Sequence, residues 1–299
     1  VDGLSVDLED YFQVESFASQ IPRDRWPSFV SRVRSNTVRV LELLERNRCL
    51  ATFFVLGWVA EREPALIREI AQAGHEMACH GHLHRPLYQL SPEEFRDDLR
   101  RSRGVIEDVS GAKVSGFRAP TFSITEKSLW ALNILAEEGF EYDSSIFPIR
   151  HDRYGIPDAP RWIHKRMLES GRSIWEFPPS TVRIGRVNVP FGGGGYLRLL
   201  PMFFTRWALE TTHRRERQSV MVYFHPWEID PEQPRLSGSW GSRFRHYRGL
   251  EKTEERLDEL LALGKFQPFI NFIRPPKTPL AARIPPGLGY PHQPIAAMS

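Results

Sequence analysis

Cysteine is scarce in this chain, and so are long apolar runs and any excess of charge of one sign. Its 299 residues include two cysteines, Cys49 and Cys79, too few and too far apart in sequence to imply a disulfide scaffold. Cys79 falls in an apolar strand pattern that suits a buried thiol. No hydrophobic run approaches the length of a membrane span, and no charged-then-apolar leader opens the chain as given. The sequence therefore reads as soluble and most simply cytoplasmic. A net charge of +3, with both signs interspersed, argues against a nucleic-acid-binding face. The densest basic cluster, "THRRERQ" at 212–218, fits a solvated helix end. With 41% hydrophobic and 26% charged residues, the composition is that of a globular protein of one large α/β domain or two smaller ones.

Short apolar runs alternate with longer helical patterns. "LSVDL" (4–8), "ATFFVL" (51–56), "HEMACH" (75–80), "SGFRAP" (115–120) and "VMVYFHP" (220–226) read as strands. Between them, Val33, Thr37, Val40, Leu41 and Leu44 keep helical spacing, as do Leu66, Ile67 and Ile70 after Pro64. Ser91, Pro92 and Glu94 form a helix start with a capping box. Residues 123–139 predict a further helix, capped by Ser123 with Glu126 or by Thr125, and stopped at Gly139. This alternation argues for parallel β/α architecture. The glycines at 192–195 lack the Lys and Ser/Thr of a phosphate loop and read as a connector or tight bend. From Arg274 onward the chain is Pro-rich and aperiodic, so we expect a domain over 1–273 and a disordered tail over 274–299.

Polar groups collect where the strands end. "HGHLH" (80–84) holds three of the ten histidines in five positions, and His80 and His84 share a face in either a helix or a strand. Taken alone it is equally a metal site or a polar turn. The first strand runs into Asp7, Glu9 and Asp10; others deliver Arg118, Asp143 and His225. In parallel barrels the carboxyl-terminal strand ends form the active face. The coincidence favours the metal reading of His80 and His84.

In these motifs the chain resembles the polysaccharide deacetylases of the NodB-homology group, carbohydrate esterase family four. "VDLED", "HGHLH", "RAPTF", Asp143 in "YDSS" and "YFH" match that family's five motifs in order, over roughly residues 4–230. "VDLEDYF", "FFVLGWVAER", "SSIFPIRHDRYGIPDAPR" and "YFHPWEID" look like a branch associated with bacterial exopolysaccharide and exosortase loci. The resemblance implies a distorted (β/α) barrel with about seven parallel strands. It also implies removal of N-acetyl groups from an acetylated amino-sugar polysaccharide or oligosaccharide.

Several positions depart from the family pattern. Gly81 stands where Ser or Thr is usual, Phe122 near the usual Tyr, and Tyr223 at the usual Leu. Two residues separate Asp7 from Asp10, where the family's aspartates adjoin.

By that resemblance a divalent metal, usually zinc, is held by His80, His84 and one carboxylate, with a position open for water and the acetyl carbonyl. Asp7 is the expected general base, oriented by Arg118. His225, supported by Asp143, is the expected acid toward the departing amine. A backbone N–H near Thr121 meets the oxyanion. Pro120, Thr121, Phe122, Tyr223 and Trp227 are the expected substrate contacts. For the metal carboxylate, strand parity favours Glu9. The strand's end near Leu8 and the family's habitual Asp favour Asp10, which is the expectation adopted. His82 is expected in a supporting or solvent-facing place, and His75 behind the site. Two other functions fit the residues less well: hydrolysis of a different small amide on the same fold, and carbohydrate binding without catalysis, which needs no general base.

Overall fold

Strand β1 (Asp2–Leu8) is buried along its whole length, as a strand covered on both faces must be. The computed structural model describes residues 1–276, so the tail expected from 274 lies, from 277 on, outside the described residues. After β1 come α1 (Val33–Arg46), β2 (Thr52–Val55), α2 (Gly57–Arg62), α3 (Pro64–Gln72), β3 (Glu76–Cys79), α4 (Pro92–Ser110), β4 (Gly116–Phe117), α5 (Trp130–Glu137) and β5 (Tyr142–Asp143). The second half adds β6 (His164–Met167), β7 (Ser173–Glu176), the hairpin β8 (Thr181–Ile184) and β9 (Val187–Pro190), α6 (Gly195–Leu199) and α7 (Met202–Thr211). It ends with β10 (Met221–Phe224), α8 (Trp240–Tyr247), α9 (Thr253–Leu263), β11 (Phe266–Gln267) and α10 (Ile270–Ile273). Among the described residues, no helix is long and apolar enough to cross a membrane.

Among the described residues nine strands form the main sheet, in the order β10-β1-β2-β3-β4-β5-β7-β6, with β11 also pairing β1. Every pairing in it is parallel except β6 with β7. This is the curled α/β sheet expected, with more than seven strands. A two-residue strand such as β11 carries no periodicity to read.

Successive strand residues point to opposite faces, and the curl makes one face an interior. Leu4, Val6, Leu8, Phe53, Val55, Val222 and Phe224 belong to the outer core that meets the helices. Phe54, Ala78, Tyr142 and Met221, with Phe177 and Phe269, form a separate inner cluster. Asp7 stands beside Phe54, and Phe54 beside Ala78, so Asp7 shares the inner face. Helix α4 starts with the capping box foreseen, Ser91 accepting from Glu94 N, and ends at left-handed Gly111. The next helical segment is capped by Thr125, one of the two caps expected, but it does not begin as an α-helix. A 3₁₀ turn over Glu126–Ser128 precedes α5, and the box pairs Thr125 with Ser128.

The glycine run is not a plain connector. Ser180 N donates to Met221 O (3.2 Å), Gly194 N to Tyr223 O (3.1 Å) and Tyr223 N to Gly192 O (2.8 Å), all along the edge of β10 that faces away from β1. Here the loop takes the place of a neighbouring strand. Gly193 has φ +146°, and a Cβ there would lie 1.8 Å from the Tyr223 carbonyl oxygen. We therefore expect Gly193→Ala to cost about 2–5 kcal/mol in urea unfolding. Gly171→Ala, at φ +74° in open space, should cost about 1 kcal/mol. Equal losses would mean that the backbone angle, and not the contact with Tyr223, decides.

Candidate active site

The carboxyl ends of β1, β3, β4 and β10 open into one cavity of about 290 Å³, lined by Asp7, Glu9, His80, His84, Tyr223 and His225 among others. Glu9, His80 and His84 bring one ligand atom each to within 4.8 Å of one another, all three residues buried. His80 Nδ1 bonds the Arg118 carbonyl at 2.8 Å, which turns its other nitrogen to the cavity. His84 has a left-handed backbone, φ +49°. Arg23 steadies that turn, donating from Nε to Leu83 O (2.6 Å) and from Nη2 to His84 O (2.9 Å).

The chemistry of this cluster fits a cation. Burial holds His80 down to about pKa 4 and His84 well below its ordinary value, so both rings are neutral. Burial pushes Glu9 up to about 7, Asp7's charge adding to the rise and His225's opposing it. Glu9 Oε2 lies 3.0 Å from His84 Nε2, yet that oxygen and His84 Nδ1 have no hydrogen-bond partner. A buried carboxylate against a neutral ring nitrogen, without hydrogen-bond alignment, is an arrangement that a divalent ion satisfies.

Asp10, the carboxylate expected in that cluster, is not there. Its Oδ1 accepts from Tyr11 N (2.9 Å), and its Oδ2 from Ser31 Oγ (2.7 Å), Arg32 N (2.9 Å) and Val33 N (3.2 Å). Asp10 thus serves the open N–H groups at the start of α1. Glu9, two residues beyond Asp7, keeps the parity of β1 and reaches the histidines.

Arg118, 1% exposed, donates from Nη1 to Asp7 Oδ1 (2.5 Å) and to Ser5 Oγ (2.9 Å). Ser144 takes two more of its protons, through its carbonyl and its hydroxyl. The expected Asp7–Arg118 pair is therefore in place. His225 Nε2 faces the same space, 3.2 Å from Glu9 Oε1 and 3.8 Å from Asp7 Oδ2.

Asp143 does not support His225. Its neighbour Tyr142 takes the inner face, so Asp143 points the other way. It accepts from Ser145 N (3.0 Å) and Ser145 Oγ (2.6 Å) and shares a hydrogen bond with Glu176. Glu228 does what was expected of Asp143. Its Oε2 meets His225 Nδ1 at 3.0 Å and accepts from His225 N at 3.0 Å, while Arg198 Nε holds its other oxygen at 2.7 Å. Burial opposes charging His225, but Glu228, Glu9 and Asp7 outweigh it and lift the ring to about 9. Glu228 was legible only as the third residue after His225, at the capping-box position.

Of the expected substrate contacts, Thr121, Phe122, Tyr223 and Trp227 line the cavity, whereas Pro120 does not and faces the Gly81 turn. Trp227 is 4% exposed and wedged between His225 (5.1 Å) and His246 (4.3 Å), so it offers little face to a sugar. His82 is buried rather than solvent-facing, against Gly57 and Glu61. His75 accepts from Ala51 N at the opposite end of the sheet. Both cysteines are buried and free, as expected of Cys79.

Residues 24–141 match a family model described as polysaccharide deacetylase, and residues 144–274 one described as a domain of unknown function, DUF3473. A peptidoglycan-N-acetylglucosamine deacetylase of Bacillus cereus is 30% identical over 32% of this chain and 35% of its own length. A chitooligosaccharide deacetylase of a Bradyrhizobium species is 35% identical over 33% of this chain and 43% of its own. The chain thus spans well under half the length of these curated relatives. A crystal structure from Mycobacterium smegmatis, of a chain described as a polysaccharide deacetylase candidate, superposes with TM-score 0.55 at 23% identity. It covers 95% of this chain and 90% of that one, a likeness in fold.

The two acidic neighbours should separate cleanly. Asp10→Asn loses charged acceptors for backbone N–H groups and should cost about 1–3 kcal/mol in urea unfolding while still retaining zinc on dialysis. Glu9→Gln should release zinc and leave the metal-free fold nearly as stable. Zinc retained by Glu9→Gln and lost from Asp10→Asn would reverse the assignment.

Proposed function

The chain belongs to the polysaccharide deacetylase family, and on that footing we propose that it is a divalent-metal-dependent hydrolase. It removes N-acetyl groups from an N-acetylhexosamine-containing glycan, with zinc as the metal and bacterial exopolysaccharide assembly as the setting. The observation that carries the reading is one cavity lined by three kinds of group: the Glu9–His80–His84 cluster, Asp7 with Arg118 paired behind it, and the His225–Glu228 pair.

Glu9, His80 and His84 would hold the metal, which when bound supplies Lewis acidity to the acetyl carbonyl and lowers the pKa of water beside it. Asp7 takes the proton of the attacking water. Arg118, itself held by Ser5, fixes Asp7, so the other Asp7 oxygen, 3.8 Å from His225 Nε2, faces the reacting atoms. The left-handed turn at Thr121 and Phe122 presents backbone to the cavity, where an N–H can meet the oxyanion. His225 gives its Nε2 proton to the departing amine as the C–N bond breaks. Glu228 holds the Nδ1 proton, which fixes the ring's orientation. Acetate and a free amino sugar remain.

Acetate release from N-acetylglucosamine oligomers should stop with a chelator and return with zinc. Asp7→Asn should keep the metal and lose about 10²–10⁴-fold in kcat. No acetate from the zinc-loaded protein on any acetylated amino-sugar oligomer would end the reading.

His225→Ala should be rescued by substrates with better leaving groups, and Glu228→Gln should lower kcat about tenfold or more with little change in KM. Equal losses for His225→Ala on good and poor leaving groups would make that histidine structural.

A further inference from the structure

Helix α8 is inside out. Its buried residues are Ser242 and His246, while Trp240 is 80% exposed and Phe244 38%. Those two rings stack on each other in solvent at 5.3 Å. Tyr247 alone of its aromatic rings packs inward, and a helix that hides polar residues while showing two large aromatic ones reverses the usual burial pattern; such a face marks a site of contact. The surrounding stretch, residues 234–248, contains four arginines and no acid in a chain that otherwise mixes its charges. Arg235 and Arg248 lie over the rings of Tyr247 and Phe244. Among the described residues none of Arg235, Arg243, Arg245 and Arg248 has an ion-pair partner, whereas Arg198 and Arg206 nearby do.

This surface is tied to the catalytic residues. Arg198, which holds Glu228, also donates to the carbonyls of Arg245 (3.0 Å), His246 (2.8 Å) and Arg248 (3.0 Å) at the end of α8. Arg245 itself lines the cavity. Beside it in the same wall, His151 stacks on Tyr154 at 3.8 Å, giving a flat ring at the opening.

We infer that residues 234–248 bind the part of an anionic, carboxylate-bearing glycan that lies outside the cavity, so the substrate is an acidic polysaccharide and not a neutral one. The inference rests on the proposed amino-sugar hydrolase. Guanidinium groups pair with carboxylates in a planar, two-bonded fork, and aromatic rings accept the apolar faces of sugars. The surface is continuous with the cavity through Arg245, which favours one chain molecule running across both. A bilayer laid on the same surface would cover the opening through which that chain must enter.

The test is equilibrium binding to the full-length, zinc-loaded protein. The probes are a hyaluronan hexasaccharide, alternating glucuronate and N-acetylglucosamine, and the neutral N-acetylglucosamine hexamer. The acidic hexamer should bind about tenfold more tightly at low salt, and the margin should shrink in 1 M salt. R243Q/R245Q should erase the preference at unchanged melting temperature. W240A/F244A should weaken both ligands about threefold or more. Equal affinities in the parent, or a preference that survives R243Q/R245Q, would overturn the inference. Binding to phosphatidylglycerol vesicles with no preference for the acidic hexamer would assign the surface to membranes instead. The two readings fail separately. Preferential binding without acetate release sinks the hydrolase, and acetate release without the preference sinks only the acidic substrate.

Discussion

The site is organised around the buried pairing of Arg118 with Asp7. Both side chains are almost wholly removed from water, and the guanidinium lies 4.1 Å over the ring of Phe54. An unpaired charge in that position would cost several kcal/mol, so each group obliges the other to be present. Arg118 reaches from the end of β4 and Asp7 from β1, with β2 and β3 between them in the curled sheet. Ser5 and Ser144 take three of the remaining four donors, which leaves few polar groups unmet on the inner face. The same residue orients the Glu9–His80–His84 cluster, because the Arg118 carbonyl fixes the ring of His80. One arginine thus holds Asp7 with its side chain and a histidine with its backbone.

What the sequence disclosed, and what it did not, follows from strand parity. Asp7 and Glu9 share a face by the same alternation that put Leu4, Val6 and Leu8 in the outer core. That alternation favoured Glu9 from the outset; the family's habitual aspartate led the other way, to Asp10. Asp10 had a different task that sequence could not reveal, since Ser31, Arg32 and Val33 lie some twenty residues on. Asp143 failed for the same reason in reverse. Tyr142 is large and apolar and claims the inner face, which leaves Asp143 to pair with Glu176 outside it. The five strands placed from pattern were all found, and His80, His84, Arg118 and His225 meet where their strand ends converge. Contacts made by loops were the illegible part, Gly193 against Tyr223 above all, because nothing periodic marks them.

The two halves of the chain contribute unlike things. The stretch that matches the deacetylase model brings His80, His84 and Arg118, and it supplies β2, β3 and β4 of the parallel sheet. The later stretch brings His225, Glu228 and Arg198 and carries the rim of the cavity. In it, His225 and Glu228 stand three residues apart on one short turn, with Pro226 opening that turn. The geometry of this histidine is therefore set locally, by a capping box, and not by a carboxylate from a distant strand.

That local arrangement has a consequence for substrate recognition. Arg198 neutralises Glu228 on one side and binds the carbonyl end of α8 on the other. A guanidinium spending its donors on three carbonyls holds the end of α8 in place, so that Tyr247 and His246 suffice for the helix's packing against Phe17 and Trp227. Trp240 and Phe244 are then left free for the outside, and the arginines of α8 need no acidic neighbour for the helix to stay docked. Anchoring by hydrogen bonds to backbone, where most helices are anchored by burying their large side chains, is the physical reason this rim can be both aromatic and cationic.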